Sequence, residues 1–215
     1  SSSYIILLPA PGRYLSAPFN LTSGTTLRVA AGATLLATDN ASLWPVVAAL
    51  PSYPRPVEND GNMTGRYAAF ISTEHQGGHS YITTHDVVID GGGTIDGQGL
   101  KWWFRSGRLP GHAKTILHTR GRLIEPMFST RVTIRDLEII NSPFWTIHPY
   151  VCDHVLIENV TISAPVWSRN TDGIDPDSST NVMIRDCTLS GGDDNIAIKS
   201  GQDAAGRMFN RPTVN

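Results

Sequence analysis

Val132-Thr-Ile-Arg-Asp-Leu-Glu-Ile-Ile140 decides how this chain is read, because its arrangement returns in Val87-Val-Ile-Asp-Gly-Gly-Gly-Thr-Ile-Asp-Gly97, Val155-Leu-Ile-Glu-Asn-Val-Thr-Ile162 and Val182-Met-Ile-Arg-Asp-Cys-Thr-Leu189. Each copy is apolar-x-apolar, a charged or amide pair at a corner, then apolar-x-apolar again. The copies start at 87, 132, 155 and 182, which puts them 45, 23 and 27 positions apart. A period in the twenties built from short alternating strands is the sign of a parallel β-helix, where each coil buries its inward side chains only by stacking on its neighbours. The interval of 45 reads as two coils with an excursion. A leucine-rich repeat has a similar period but needs a Leu-x-x-Leu-x-Leu scaffold, which is absent. The pattern places Val132, Val155 and Val182 in one interior ladder and Ile134, Ile157 and Ile184 in another. Asp136, Asn159 and Asp186 fall at one corner, where short polar side chains satisfy turn amides.

The remainder of the 215 residues agrees with an all-β protein. Twenty glycines, fourteen prolines and no sustained apolar repeat at helical spacing describe short strands separated by turns. With 40% hydrophobic and 17% charged residues the chain has the apolar mass for a core. One domain over residues 1–215 is expected. Residues 39–73, broken by Pro45, Pro51, Pro54 and Pro56, are expected to be a long loop or excursion within it.

A formal charge of −2 offers no global attraction to nucleic acid or to an anionic membrane, so binding of an anion requires locally placed cations. No apolar run approaches the roughly 20 residues of a membrane-spanning helix. Asn-x-Ser/Thr sequons at Asn20, Asn40, Asn62 and Asn159 hint at secretion, extracellular or periplasmic. Cys152 and Cys187 are compatible with one disulfide, with two free thiols or with partners elsewhere, and as two isolated cysteines they make no structural zinc site.

Chemistry gathers in residues 170–201. Superposing Trp145-Thr-Ile147, Asp172-Gly-Ile174 and Asp194-Asn-Ile196 on their isoleucines stacks Asp172 on Asp194 in adjacent coils, with backbones roughly 4.8 Å apart. Asp193 sits one residue earlier. A bend before each strand must aim these side chains outward, and Gly173, Gly191 and Gly192 make bends cheap. Crowded carboxylates cannot all ionise easily, so one should keep a proton towards neutral pH. The cluster then holds both an acid and a base, the equipment for cleaving a glycosidic bond. The competing account is that these aspartates cap turns or form an exposed acidic ladder. Gly91 to Gly99 lacks the spacing and lysine of a phosphate loop, and Asp175 to Thr180 lacks the glycine and glutamate of a calcium loop. No metal and no cofactor are expected.

At Asn170-Thr-Asp172 and Gly192-Asp-Asp194, followed by Ile196-Ala-Ile-Lys-Ser-Gly201, the sequence resembles the polygalacturonases and their relatives, family 28 of the glycoside hydrolases. The resemblance extends to Ser142-Pro-Phe-Trp-Thr-Ile-His148 and Gly91-Gly-Gly-Thr-Ile-Asp-Gly-Gln-Gly99. It implies a right-handed parallel β-helix and inverting hydrolysis of α-1,4-galacturonosyl linkages in pectin. It assigns Asp193 as general acid, Asp172 and Asp194 as activators of water, and Asn170 as a positioning residue. The family's later Gly-His-Gly and Arg-Ile-Lys motifs have no counterpart before Asn215. The chain is therefore expected to be an incomplete fragment, and its activity by itself is in question.

His148 and Lys199 follow interior isoleucines and should point outward, where either could meet a galacturonate carboxylate; Arg169 lies beside the motif. With Asn170, these are the expected substrate-binding residues. Trp102 and Trp103 could stack on sugar, while Trp145 is expected to pack in the core. A monomer acting on a homogalacturonan-like polysaccharide, without nucleic acid or membrane, is the partner expectation. The rival readings are a non-catalytic β-helix that binds polysaccharide, a hydrolase of rhamnogalacturonan or xylogalacturonan, and a calcium-dependent β-helical lyase.

Overall fold

A computed structural model describes residues 3–53, 65–73, 83–107 and 111–214. The chain coils. Its opening turn consists of β1 (Tyr4–Leu8), β2 (Gly12–Ser16) and β3 (Phe19–Leu21). The second holds β4 (Thr25–Val29) and β5 (Ala33–Ala37), then leaves the helix through β6 (Val46–Ala48) and β7 (Gly65–Tyr67) and returns at β8 (Ile71–Thr73). The third holds β9 (Thr84–Asp90) and β10 (Thr94–Asp96), departs through α1 (Leu100–Arg105) and returns at β11 (Ile124–Glu125). Thereafter come β12 (Ser129–Ile140), β13 (Asp153–Ser163), and the pair β14 (Thr180–Arg185) and β15 (Thr188–Ser190), with α2 (Asp203–Phe209) last. Successive turns pair in parallel, β1 with β4, β4 with β9, β9 with β12, β12 with β13 and β13 with β14; among the described residues only β6 and β7 pair as antiparallel strands. This is a parallel β-helix.

Four interior ladders on three faces fill it. Val87, Val132, Val155 and Val182 stack in register, as do Ile89, Ile134, Ile157 and Ile184, which bears out the ladders expected from the repeat. A second face stacks Leu35, Ile95, Ile139, Ile162 and Leu189, and a third Ile71, Ile124, Ile147, Ile174 and Ile196. From Ile89 to Ile174 these side chains are almost entirely buried, each contributing on the order of 1.5–3 kcal/mol. The polar corner also forms: Asp136, Asn159 and Asp186 all adopt left-handed backbone, and the Asn159 amide donates to Asp136 Oδ1 at 2.7 Å. Asn and Asp tolerate that conformation better than other side chains.

One expectation changes. Val87 pairs directly with Val132, so the interval of 45 is one coil carrying a long excursion, not two coils. The extra length leaves after Asp96 through α1 and comes back at Ile124. Within residues 39–73, expected as a long loop or excursion, the described residues include a 3-10 turn at Ala41–Leu43, the β6–β7 pair and β8, and residues 54–64 lie outside the described residues. Leu50 and Tyr53 pack with Met127, Phe144, Trp145 and Tyr150 in a cluster separate from the coil interior. Cys152 and Cys187 are both free; Cys152 is buried, and burial pushes its thiol up to about 12.

Truncating the middle of a ladder should be costly and a corner should not. Ile157→Ala, at a fully buried position, is expected to lose about 2–5 kcal/mol. Removing the Glu158 charge, paired with Arg185 on the coil surface, should cost about 1 kcal/mol or less. Urea unfolding of the two variants compares them directly, and equal losses would contradict the ladder assignment.

Candidate active site

Adjacent coils bring the three aspartates together in the expected register. Ile147 pairs with Ile174, and Ile174 with Ile196. The Thr146 N–H donates to the Asp172 carbonyl at 2.8 Å, and the Gly173 N–H to the Asp194 carbonyl at 2.9 Å. One carboxylate oxygen from each of Asp172, Asp193 and Asp194 lies within 4.8 Å of the other two. Asp193 and Asp194 are exposed, whereas Asp172 is only 4% exposed. Among the described residues, Asp172 Oδ1 accepts no hydrogen bond.

Asp193 is oriented by backbone: its Oδ2 accepts the Asn170 N–H at 3.1 Å and its Oδ1 the Asp194 N–H at 3.0 Å. Asn170 adopts left-handed backbone (φ 61°), which aims that N–H across to the next coil. Its own side-chain oxygen accepts from the Arg120 guanidinium at 3.0 Å, and Arg120 also donates to the carbonyls of Pro143 and Arg169. The glycines act by close approach. A Cβ on Gly192 would stand 2.1 Å from the Ser168 carbonyl oxygen, one on Gly173 2.5 Å from that of Asn195, and neither residue has a positive φ. They let neighbouring coils touch rather than supplying a special bend.

Lys199 is held at the back of the cluster. Its ammonium lies 3.2 Å from Asp172 Oδ2 and 3.6 Å from Asp175 Oδ1, and 4.3 Å from the centre of the Trp145 ring. Lys199, expected among the substrate-binding residues, is thus placed beside Asp172 with its side chain 18% exposed. Burial raises the Asp172 pKa, Lys199 opposes it and the nearby Asp193 charge adds to it. Asp175 is fully buried with neither oxygen hydrogen-bonded; burial and the Asp172 charge raise it to about 7, against Lys199. Burial thus favours a retained proton on Asp175, a residue the sequence suggested only as part of a failed calcium-loop match.

His148 is corrected outright. It does leave the coil interior, but it is fully buried, with Nδ1 2.9 Å from Glu125 Oε1 and Nε2 3.2 Å from Asp177 Oδ2. The reason is the cover laid over this wall by the second-coil excursion. The Tyr53 hydroxyl donates to Asp177 at 2.5 Å, Ser52 and Tyr150 share a hydrogen bond of 2.8 Å, and Arg66 meets Glu125 at 2.6 Å. Burial would push the His148 imidazole down, but its bonds to Asp177 and Glu125 outweigh that and raise it. Burial likewise opposes ionisation of Glu125, yet Arg66, Arg122 and His148 hold it at about 2. A signal for this network was available: Glu125, His148 and Asp175 each follow an interior isoleucine at the repeat spacing.

Arg169 is exposed beside Asn170. Trp102 is fully buried against Trp44 and Tyr67, and Trp103 is 3% exposed, so neither offers a sugar platform. Trp145 is packed as expected, under the Lys199 and Arg122 cations. Trp167, not singled out from sequence, is the exposed indole of the region at 46%.

The buried Asp175 carries a stability signature with a definite sign. Its folded pKa of about 7 lies above the ordinary 3.8. Across that interval the folded chain holds a proton that the unfolded chain has released, so stability drains away as pH rises. Asp175→Asn, which cannot ionise, should gain on the wild type between pH 3.8 and pH 7. Urea midpoints at the two ends of the range test this; a difference that does not change with pH would refute the assignment.

The sequence and the fold are similar to those of known proteins. Residues 52–209 fit the family model for Glycosyl hydrolases family 28. The chain is 43% identical to a "Probable polygalacturonase" of Vitis vinifera over 97% of its own length and 39% of that protein. It is 33% identical to an endo-polygalacturonase of Pectobacterium carotovorum subsp. carotovorum, over 87% of this chain and 44% of that one. The crystal structure of a hyperthermoactive exopolygalacturonase from Thermotoga maritima superposes with a TM-score of 0.77 at 25% identity, covering 97% of this chain and 50% of that chain. This chain spans about two fifths of the length of the two curated relatives. Family match, fold and the stacked aspartates agree, and the chain belongs to family 28 of the glycosyl hydrolases.

Proposed function

We propose that the complete protein carrying this chain hydrolyses α-1,4-galacturonosyl linkages of a pectic polysaccharide. The observation that carries the reading is the meeting of Asp172, Asp193 and Asp194 within 4.8 Å in a family 28 chain. Asp193, oriented by two backbone N–H groups, gives its proton to the leaving glycosidic oxygen. Asp172 and Asp194 take a proton from the water that attacks the anomeric carbon. Burial raises the Asp172 carboxyl above the ordinary carboxylate range, and the Lys199 ammonium opposes that rise in the direction a base requires. Asn170 holds Asp193, and the exposed Arg169 is the nearby cation left to meet a galacturonate carboxylate.

Such a substrate lies outside the cell, and we read the protein as secreted and monomeric. Of the four sequons, Asn20, Asn40 and Asn159 are exposed, and Asn62 lies outside the described residues. No helix among the described residues is long and apolar enough to cross a membrane.

Asp193→Asn in the complete protein should lower the release of reducing ends from polygalacturonate by about 10²–10⁴-fold. Equal rates in variant and wild type would remove Asp193 as the acid. Stereochemistry is a separate check, since nearest oxygens within 4.8 Å stand closer than the roughly 6.5–9.5 Å usual between the carboxyls of inverting enzymes. Proton NMR of the first product should show the β-anomer, the result of inversion; early accumulation of the α-anomer would replace the activated water by a covalent step.

A further inference from the structure

Ahead of the catalytic corner, the preceding coils leave a surface cleft of about 410 Å³, within the roughly 300–1,000 Å³ range of pockets that hold small molecules. Its lining comes from the same corner of successive turns: Asp39 after β5, Asp96 and Gln98 at the end of β10, Asn141 after β12, and Trp167 after β13. Lys101 and Trp103 of α1 close one side. The next turn at this corner carries Asp193 and Asp194.

The cleft is rigidly tied to the catalytic residues. Trp167 lies three positions before Asn170. Between them the Ser168 N–H donates to the Pro165 carbonyl at 2.9 Å and the Thr171 hydroxyl to the Ser168 carbonyl at 2.7 Å. The Gly192 N–H donates to Thr171 Oγ1 at 2.9 Å, and the Asn170 N–H to Asp193. The Trp167 ring is itself fixed, edge-on to Trp103 at 5.3 Å and stacked with Phe104 at 6.4 Å. Trp103 in turn is anchored by its indole N–H on the Ser142 carbonyl at 3.0 Å.

Its chemistry differs from that of a uronate site. The described lining holds two carboxylates and one ammonium, and the Lys101 ammonium is already 2.6 Å from Asp39 Oδ2. Asp96 Oδ1 accepts the Gln98 N–H at 2.9 Å and the Asn141 amide at 3.2 Å, while its Oδ2 takes no hydrogen bond from the described residues. A further carboxylate placed here would face two like charges, and the one ammonium among the described lining residues is already paired with Asp39. An uncharged pyranose would instead lay its C–H face on a half-exposed indole and offer hydroxyls to a carboxylate and amides. Coils stack at about 4.8 Å, close to the length of one sugar unit, so a chain lying along the helix axis passes from the cleft to the aspartates.

We propose that this cleft is a subsite for an uncharged sugar unit of the polysaccharide cleaved at the aspartates, either a methyl-esterified galacturonosyl residue or a neutral side-chain sugar. It rests on the reading of Asp172, Asp193 and Asp194 as a pectin-hydrolysing site.

The test is binding to the complete protein with Asp193→Asn to prevent turnover. Three probes are titrated by isothermal calorimetry: a fully de-esterified oligogalacturonide, its methyl-esterified form, and an oligogalacturonide bearing xylose or rhamnose. At least one uncharged form should bind more tightly than the free acid, and which one does identifies the source. Adding Trp167→Ala should erase that preference, a change of roughly tenfold, and Trp167→Phe should retain most of it. Circular dichroism of the half-exposed position confirms folding. Free acid bound as tightly as both uncharged forms, or a preference that survives Trp167→Ala, would overturn the subsite. Hydrolysis of de-esterified polygalacturonate by the protein with native Asp193 tests the aspartates alone. Turnover without the binding preference discards the cleft and keeps the hydrolase, whereas a Trp167-dependent preference without turnover discards the hydrolase.

Discussion

Parallel backbone pairing of Ile174 with Ile147 on one side and Ile196 on the other is the constraint on which the rest of the molecule depends. A β-helix has no other means of covering an inward isoleucine than the coil next to it. Once those three side chains stack, the residue two positions before each is carried into register, and Asp172 must lie against Asp194. Like charges are held together because the isoleucine ladder pays for their proximity. The glycines beside the aspartates belong to the same constraint, since any Cβ on Gly192 or Gly173 would strike the carbonyl of an adjoining segment.

The second organising feature is a wall of buried charge behind the site. Glu125, His148 and Asp177 are wholly buried, and Arg66 and Arg122 nearly so. Charges in such surroundings survive only when paired, and removing one partner typically costs about 3–5 kcal/mol. Arg66 and Tyr53 come from the excursion out of the second coil, so the ion pairs stitch that cover to the coils that carry the aspartates. Lys199 joins this wall to the aspartate cluster, since one ammonium lies beside both Asp172 and the fully buried Asp175. Geometry at the aspartate corner is thereby set from behind as well as by the stacked strands.

Much of the fold was legible because a solenoid writes its tertiary contacts into a local period. The valine and isoleucine ladders, the polar corner at Asp136, Asn159 and Asp186, and the register of the three aspartates all followed from spacing alone. The interval of 45 misled because an excursion lengthens one coil without adding another, and periodicity counts residues, not turns. His148 and Lys199 were rightly turned away from the interior, yet parity says only which side of the wall a residue leaves from. Whether solvent or another segment waits there depends on where the excursion folds back. Trp167 and Trp102 show the same limit, one exposed and one buried, with nothing in their immediate neighbours to distinguish them.

The sequence by itself determined the repeating coil, the interior ladders and the meeting of Asp172, Asp193 and Asp194, because these rest on hydrogen bonds and side-chain alternation that recur at fixed intervals. Only the tertiary structure decided that His148 is sealed between Glu125 and Asp177, that Lys199 lies beside Asp172 and Asp175, and that Trp167 edges a cleft lined by Asp39, Asp96 and Lys101 ahead of the aspartates. Those outcomes depend on which aperiodic segment covers which outer face. The burial and charge pairing that select that cover join residues as far apart in the chain as Tyr53 and Asp177.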